Sequence, residues 1–266
     1  MFATNKSQES IFQAENLSLV FGSGEDPHVI LQNINLDVKT HEFLTIVGGS
    51  GVGKTSLLRM LGGLTPASSG TLTFRGHSVN APPHGVVVVF QDYVHALLQW
   101  RTVLGNVTLS LESKLSGHEL RDRAMQALQM VGLENSANKF PWQLSGGMQQ
   151  RVQIARALAQ QPSVLLMDEP FGALDAMTKA VLQDELLRIH STTDTTFVFI
   201  THDIEEAVYL GDRVAILDGP PGHIKHIVQV PIARPRNQIQ TRQEQAFLRI
   251  RHELHDAIFS NTNAQP

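Results

Sequence analysis

The sequence predicts an α/β fold with a mainly parallel sheet. Three observations carry the prediction. Residues 43–47, 86–90, 164–167 and 197–200 are short apolar runs rich in Val, Ile, Leu or Phe. Each is too short for a helix and reads as a central parallel strand, buried on both faces. Segments with helical spacing lie between them, and strand alternating with helix is the pattern of a parallel sheet. The first run also leads directly into a glycine-rich loop that opens a helix.

Taken in order, residues 16–20 and 30–38 alternate apolar and polar like antiparallel edge strands, as does 70–74. The helix after the glycine-rich loop covers 55–61. The stretch 92–160 is helix-rich without a convincing strand, and reads as a helical subdomain inserted between core segments 11–91 and 161–235. Its last helix, 146–159, places Val152, Ala155, Leu158 and Ala159 at helical spacing. The helix 176–190 sets Val181, Leu182, Leu186 and Ile189 on one face. The Pro-bearing stretch 230–237 reads as a linker to a tail, 236–266, in which 243–259 forms one amphipathic helix. The chain has neither an internal repeat nor a low-complexity tract.

At 42% hydrophobic and 17% charged over 266 residues, the chain can bury a core and lacks the composition of general disorder. The net charge of −4 carries no global mark of a nucleic-acid binder, so no nucleic-acid partner is expected. The 12 histidines are scattered without metal-ligand spacing and read mostly as surface residues. With no cysteine, disulfides and thiolate metal sites are excluded, which fits a reducing compartment. The first 13 residues lack a basic segment followed by an apolar one, so no signal peptide is expected. No apolar run approaches the ~20 residues that cross a bilayer. Any membrane role is expected to come through a partner.

Gly48-Gly49-Ser50-Gly51-Val52-Gly53-Lys54-Thr55 matches G-x-x-x-x-G-K-[ST], between a strand and a helix. Glycines let the backbone wrap closely, so successive N–H groups can point at phosphate oxygens. The helix N-terminus adds a favourable field. Lys54 supplies positive charge to the β and γ phosphates, and the Thr55 hydroxyl can bind Mg²⁺. Nucleotide binding follows, whereas ATP over GTP is not decided by this loop. The run 164–167 ends in Asp168-Glu169. Ligands bind at the carboxyl ends of such strands. Asp168 is expected to hold the Mg²⁺ shell through water, and Glu169 to polarise the attacking water as general base. Alone, the pair would be an ordinary solvated strand end; the phosphate loop gives it a task.

Leu144-Ser145-Gly146-Gly147-Met148-Gln149-Gln150-Arg151 resembles the signature sequence of ABC ATPases. Read by itself it is a capped helix start: Ser145 is a good N-cap, and Gly146 and Gly147 leave room for another molecule. The resemblance to the family runs from about residue 11 to 234. It implies a P-loop NTPase (RecA-like) core with an antiparallel β subdomain and an inserted α-helical subdomain. Phe21 takes the place of the aromatic that stacks on adenine; the lesser alternative is a core residue of an edge strand. Gln91 resembles the glutamine that reaches Mg²⁺ and the water. Gly172-Ala173-Leu174-Asp175 resembles the loop that crosses the dimer interface, and His202 the switch histidine that contacts the γ phosphate. The resemblance also implies two chains packed head to tail, with ATP between the phosphate loop of one and Ser145, Gly146 and Gly147 of the other. One set of motifs predicts a homodimer or a pair with a similar chain.

Residues 91–107 resemble the groove in importer ATPases that receives a permease coupling helix. Leu97, Leu98 and Trp100 are then expected to be partly exposed; the alternative is that they pack inside the helical subdomain. Pro141-Trp142-Gln143, Pro170-Phe171-Gly172 and Thr201-His202-Asp203-Ile204-Glu205-Glu206-Ala207 are similar to the nitrate, sulfonate and taurine importer type, as are 219–224 and 230–236. The implied role is an ATPase at the cytoplasmic face of the cell membrane, peripheral to a permease and served indirectly by a solute-binding protein. The other readings are a non-transport ABC ATPase on a cytoplasmic assembly and a different P-loop enzyme such as a small-molecule kinase. The first usually carries paired ATPase halves or long coiled-coil insertions, and the second gives Ser145–Arg151 and His202 no task.

Overall fold

The computed structural model describes residues 9–22, 27–91, 96–172 and 174–259. Residues 1–8 of the N-terminal segment, 92–95 of the expected docking segment, Ala173 and the end of the tail lie outside them. The first half of the chain forms β1 (Ser10–Phe21), β2 (His28–Lys39), β3 (Phe43–Gly48), α1 (Lys54–Leu61), β4 (Ser69–Phe74), β5 (His77–Ser78) and β6 (Val86–Val89). Then come α2 (Val103–Thr108), α3 (Gly117–Met130), α4 (Gly146–Leu158), β7 (Val164–Asp168) and α5 (Ala176–Thr192). The last part is β8 (Thr196–Ile200), α6 (Ile204–Leu210), β9 (Arg213–Asp218), β10 (His223–Gln229), α7 (Gln240–Gln243) and α8 (Gln245–Phe259).

A six-stranded sheet of order β10-β9-β3-β8-β7-β6 forms the centre. Only β10 runs antiparallel. Every residue of β3, β7 and β8 is buried, as expected for strands covered on both faces. Their side chains alternate between two cores. Phe43, Val47, Leu165, Met167, Phe197 and Phe199 enter the core shared with α4, α5, α6 and α8. Leu44, Ile46, Leu166, Val198 and Ile200 enter the core shared with α1 and a four-stranded antiparallel sheet of order β2-β1-β4-β5. The helices α2, α3 and α4 pack on one another.

Four expectations change. Residues 86–89 form the last strand of the sheet, not a central one, and three of its four valines are only partly buried. Val181 stands apart from the buried face of α5 at 52% exposure. The stretch 230–237 is packed, not a free linker: Val230, Ile232 and Arg236 are buried, and Arg236 Nη1 donates to the carbonyls of Val208, Tyr209 and Gly211 at the end of α6. A helix's last carbonyls lack internal partners, and an arginine supplies them. Finally, β9, β10 and α6 are elements the sequence patterns did not predict. Among the described residues, no helix is long and apolar enough to cross a membrane.

Candidate nucleotide site

The carboxyl ends of β3, β7 and β8 meet at one edge of the sheet, and the residues singled out by motif gather there. At β3 the chain turns through Gly48–Gly53 into α1. Gly51 and Gly53 have φ of 76° and 101°, a region that disfavours side chains. The glycines divide their tasks. A Cβ on Gly48 would sit 2.2 Å from the Leu217 carbonyl oxygen, and one on Gly53 would sit 2.7 Å from Leu31 Cδ2, so these two serve packing. A Cβ on Gly49 or Gly51 would meet nothing within 4 Å, so these two line the open side from which a phosphate can approach. Lys54 is buried and arches back, its Nζ donating to the carbonyls of Gly48 at 3.0 Å and Gly49 at 2.8 Å. Burial pushes its pKa down, opposed by Glu169 and Asp168. Its nearest carboxylate, Glu169, is 3.9 Å away. An anion reaching this ammonium would replace the hydration that burial removes.

Asp168 closes β7, buried, and burial raises its pKa above the usual carboxylate range while the Thr55 hydroxyl hydrogen-bonds to it. Glu169 follows with φ of 41°, in the left-handed region. Its N–H still donates to the Ile200 carbonyl at 3.0 Å, which extends the β7–β8 ladder by one bond. The turn of the backbone points the carboxylate out of the sheet, toward Lys54 on one side and His202 on the other. His202 Nδ1 lies 3.0 Å from Glu169 Oε2, and the ring is 61% exposed. The Gln91 amide nitrogen lies beside Gly172, 3.6 Å from where a Cβ would stand. Thus Lys54, Thr55, Gln91, Asp168, Glu169 and His202 converge from four elements. Thr55, Asp168 and Gln91 offer hydroxyl, carboxylate and amide oxygens, the hard donors that suit Mg²⁺. Among the described residues no group of three or more His, Asp or Glu could hold a metal alone, so phosphate oxygens would have to complete the shell.

Ser145, Gly147 and Asp175 form a second group. Ser145 caps α4, accepting from Met148 N at 3.4 Å. Asp175 caps α5, accepting from Thr178 N at 3.0 Å and from its hydroxyl at 2.7 Å, and these bonds hold its carboxyl below the usual range. Gly147 is buried, and a Cβ there would lie 2.4 Å from Thr178 Cγ2. Gly147 therefore lets α5 approach α4 within the same chain, a task the sequence reading had assigned to an incoming molecule. Among the described residues no hydrogen bond joins this group to Gly48–Thr55. Phe21 ends β1 with 52% of its surface exposed. In the expected docking segment Trp100 is 75% exposed, whereas Leu97 is buried in the core at 3%. The buried Asn106 side chain fixes this loop. It accepts from Leu98 N and donates to the carbonyls of Leu98, Arg101 and Thr102.

Motif reading missed the groups that hold these residues. Thr178 joins Gly147 to Asp175. Asp203 caps α6, accepting from the N–H groups of Glu205 and Glu206. Thr201 donates to the buried Glu206 carboxylate, which also accepts from Gln183. The Asp203-x-x-Glu206 spacing is a helix-start signal that could have revealed α6.

Residues 31–172 match the family model described as ABC transporter. The chain is 42% identical over 250 residues to the bicarbonate transport ATP-binding protein CmpD of Synechocystis, covering 92% of this chain and 88% of that one. It is 40% identical over 235 residues to the nitrate import ATP-binding protein NrtC of Synechococcus elongatus, covering 87% of this chain and 35% of that longer one. Among solved structures it resembles an ATP-binding cassette in a dimeric post-hydrolysis state bound to ADP and Pi. There the TM-score is 0.72 and the identity 34%, over 82% of this chain and 98% of that one. The chain therefore belongs to the ABC transporter family as an ATP-binding, ATP-hydrolysing subunit.

Proposed function

We propose that the chain powers import of a small oxyanion of the bicarbonate or nitrate class, as a homodimer docked on a permease at the cytoplasmic face of the membrane. The observation that carries the catalytic part is Glu169, held between Lys54 and His202 at the open side of the phosphate loop. The importer part rests on the likeness to CmpD and NrtC, and on Trp100 standing exposed on a loop that Asn106 fixes. Residues 11–235 would act as the ATPase domain, with 92–160 as its helical part and 236–266 as the tail.

In this reading the backbone at Gly49–Gly53 binds the phosphates, with Lys54 at the β and γ groups and Phe21 stacking on the base. Thr55, Asp168 and Gln91 would hold Mg²⁺, which when bound neutralises charge developing on the phosphate oxygens. Glu169 accepts a proton from the attacking water, and His202 orients Glu169 through the 3.0 Å contact. Ser145, Gly146, Gly147 and Asp175 face away from their own phosphate loop in function and complete the site of the second chain. Closure would require nucleotide, and loss of the γ phosphate would release it.

The test is gentle detergent extraction of the tagged chain from native membranes. A co-purifying multi-span permease is the expected result, and its solute-binding partner would identify the anion. Recovery of ribosomal or chromosomal partners with no integral membrane protein would overturn the importer reading and leave the ATPase standing.

A further inference from the structure

The tail beyond residue 236 has no task in the reading above, yet it grips the element next to His202. His202 follows β8 and precedes Asp203, the cap of α6. The turn is fixed on both sides. On one side, Thr201 accepts from Asp203 N at 3.0 Å and donates to Glu206, which also accepts from Gln183 Nε2 at 3.0 Å. On the other side stands Glu205, half-exposed in the first turn of α6. Arg242 of α7 reaches Glu205 Oε2 at 2.7 Å, and Arg251 of α8 reaches Glu205 Oε1 at 3.0 Å. Each oxygen of one carboxylate is thus held by a different helix of the tail.

Arg242 is itself fixed, and so is the helix that carries Arg251. The Arg242 guanidinium lies 5.1 Å from the centre of the Tyr209 ring and 5.9 Å from that of Phe247, and it bonds to Gln238 and Gln183. Phe247, Ile250 and Leu254 anchor α8 in the core. The tail does not close over the histidine. A cleft of about 480 Å³ separates His202 and Asp203 from Arg251, His252 and His255. The tail reaches the turn 201–206 directly through Glu205, and at one remove through Arg242, Gln183 and Glu206.

We infer that Arg242 and Arg251 are positioning residues for hydrolysis. They clamp Glu205, which sets the turn 201–206 and so holds His202 against Glu169. This rests on the ATPase reading of Glu169 and His202. Misplacing a catalytic group by a fraction of an ångström costs rate without costing substrate affinity. The clamp also couples the tail to the active site, so anything that displaces α7 and α8 would slow turnover.

The test compares full-length wild type, Arg242→Gln/Arg251→Gln, Glu205→Gln and, as a surface control on α8, Arg249→Gln. ATPase rates are measured against ATP concentration. Both clamp variants are expected to lower kcat on the order of tenfold while KM for ATP stays within about twofold, and the control should match wild type. The charge-reversed triple variant Glu205→Arg/Arg242→Glu/Arg251→Glu should recover part of kcat. If the double variant fails to fold, Glu205→Gln decides, because it keeps both arginines and the shape of the side chain. Unchanged kcat in folded Glu205→Gln would overturn the clamp, as would a loss confined to KM. Absence of ATPase activity in the wild type would instead overturn the reading beneath it.

Discussion

The left-handed backbone at Glu169 shows what a single residue does here. A non-glycine residue at φ of 41° is strained, and the bond from its N–H to Ile200 holds it there. The result is a carboxylate turned out of a buried strand. Glu169→Gln keeps the shape and the amide can still meet His202, but it cannot take a proton. Hydrolysis should fall by about 10²- to 10⁴-fold while equilibrium ATP binding is retained; phosphate release and nucleotide titration check both. Equal loss of binding would mean that Glu169 acts on the ground state. Gly147 gives a second prediction. Ala at this position would put Cβ 2.4 Å from Thr178 Cγ2, an overpacking that costs about 1–3 kcal/mol, more than the gain of replacing a helical glycine, about 0.5–1 kcal/mol. Thr178→Ser removes that methyl and keeps the hydroxyl that serves Asp175. In its background, Gly147→Ala should recover most of the stability by chemical denaturation. If the loss persists in Gly147→Ala/Thr178→Ser, the methyl is not its cause.

Among the elements, what was legible follows from local chemistry. The strands β3, β7 and β8 each hold a run of four or five residues that is apolar but for Thr45 and sits between punctuating loops, so their pattern alone placed them. The phosphate loop was legible because its spacing is itself the mechanism. The edge position of β6 was not, since four valines in a row look the same in the middle of a sheet as at its border; only the strand order decides. β9 and β10 were missed because charge and proline bracket short runs. The network under His202 ties Glu206 to Gln183, 23 positions away, a distance that no short pattern spans. That network makes a pH prediction. Burial raises the pKa of Glu206 above its ordinary 4.5, against the lowering bonds from Thr201 and Gln183. A carboxyl with a raised folded pKa favours the fold below the ordinary value, and that contribution is lost as pH rises through the folded one. Glu206→Gln cannot titrate. Its stability relative to wild type should therefore rise with pH across that window, by denaturant midpoints at a series of pH values. A difference independent of pH would show that the carboxyl is not protonated more readily in the fold.

For the whole molecule, the division of the site residues into two groups is the deciding feature. Lys54, Asp168, Glu169 and His202 converge at one sheet edge, while Gly147 and Asp175 are joined through Thr178, with Ser145 capping the helix that carries Gly147. A two-fold pair places residue i of one chain on residue j of the other and j on i, so two chains could complete two sites. This can be tested by mixing two defective chains. His202→Ala keeps its phosphate loop and its Ser145, and should bind ATP without hydrolysing it. Ser145→Arg keeps its own Lys54, Glu169 and His202, but offers its partner a blocked helix start. Each homodimer should be close to inactive. In the mixed dimer one site carries both defects and the other carries neither. With equal mixing before nucleotide is added, half the dimers are mixed, and activity should recover to about a quarter of wild type. The recovery should follow the product of the two chain fractions as the ratio is varied. If no ratio restores activity, with both variants folded and binding ATP, the two groups do not form one site across a chain boundary, and Gly147 and Asp175 would be left with the intrachain packing that Thr178 already gives them.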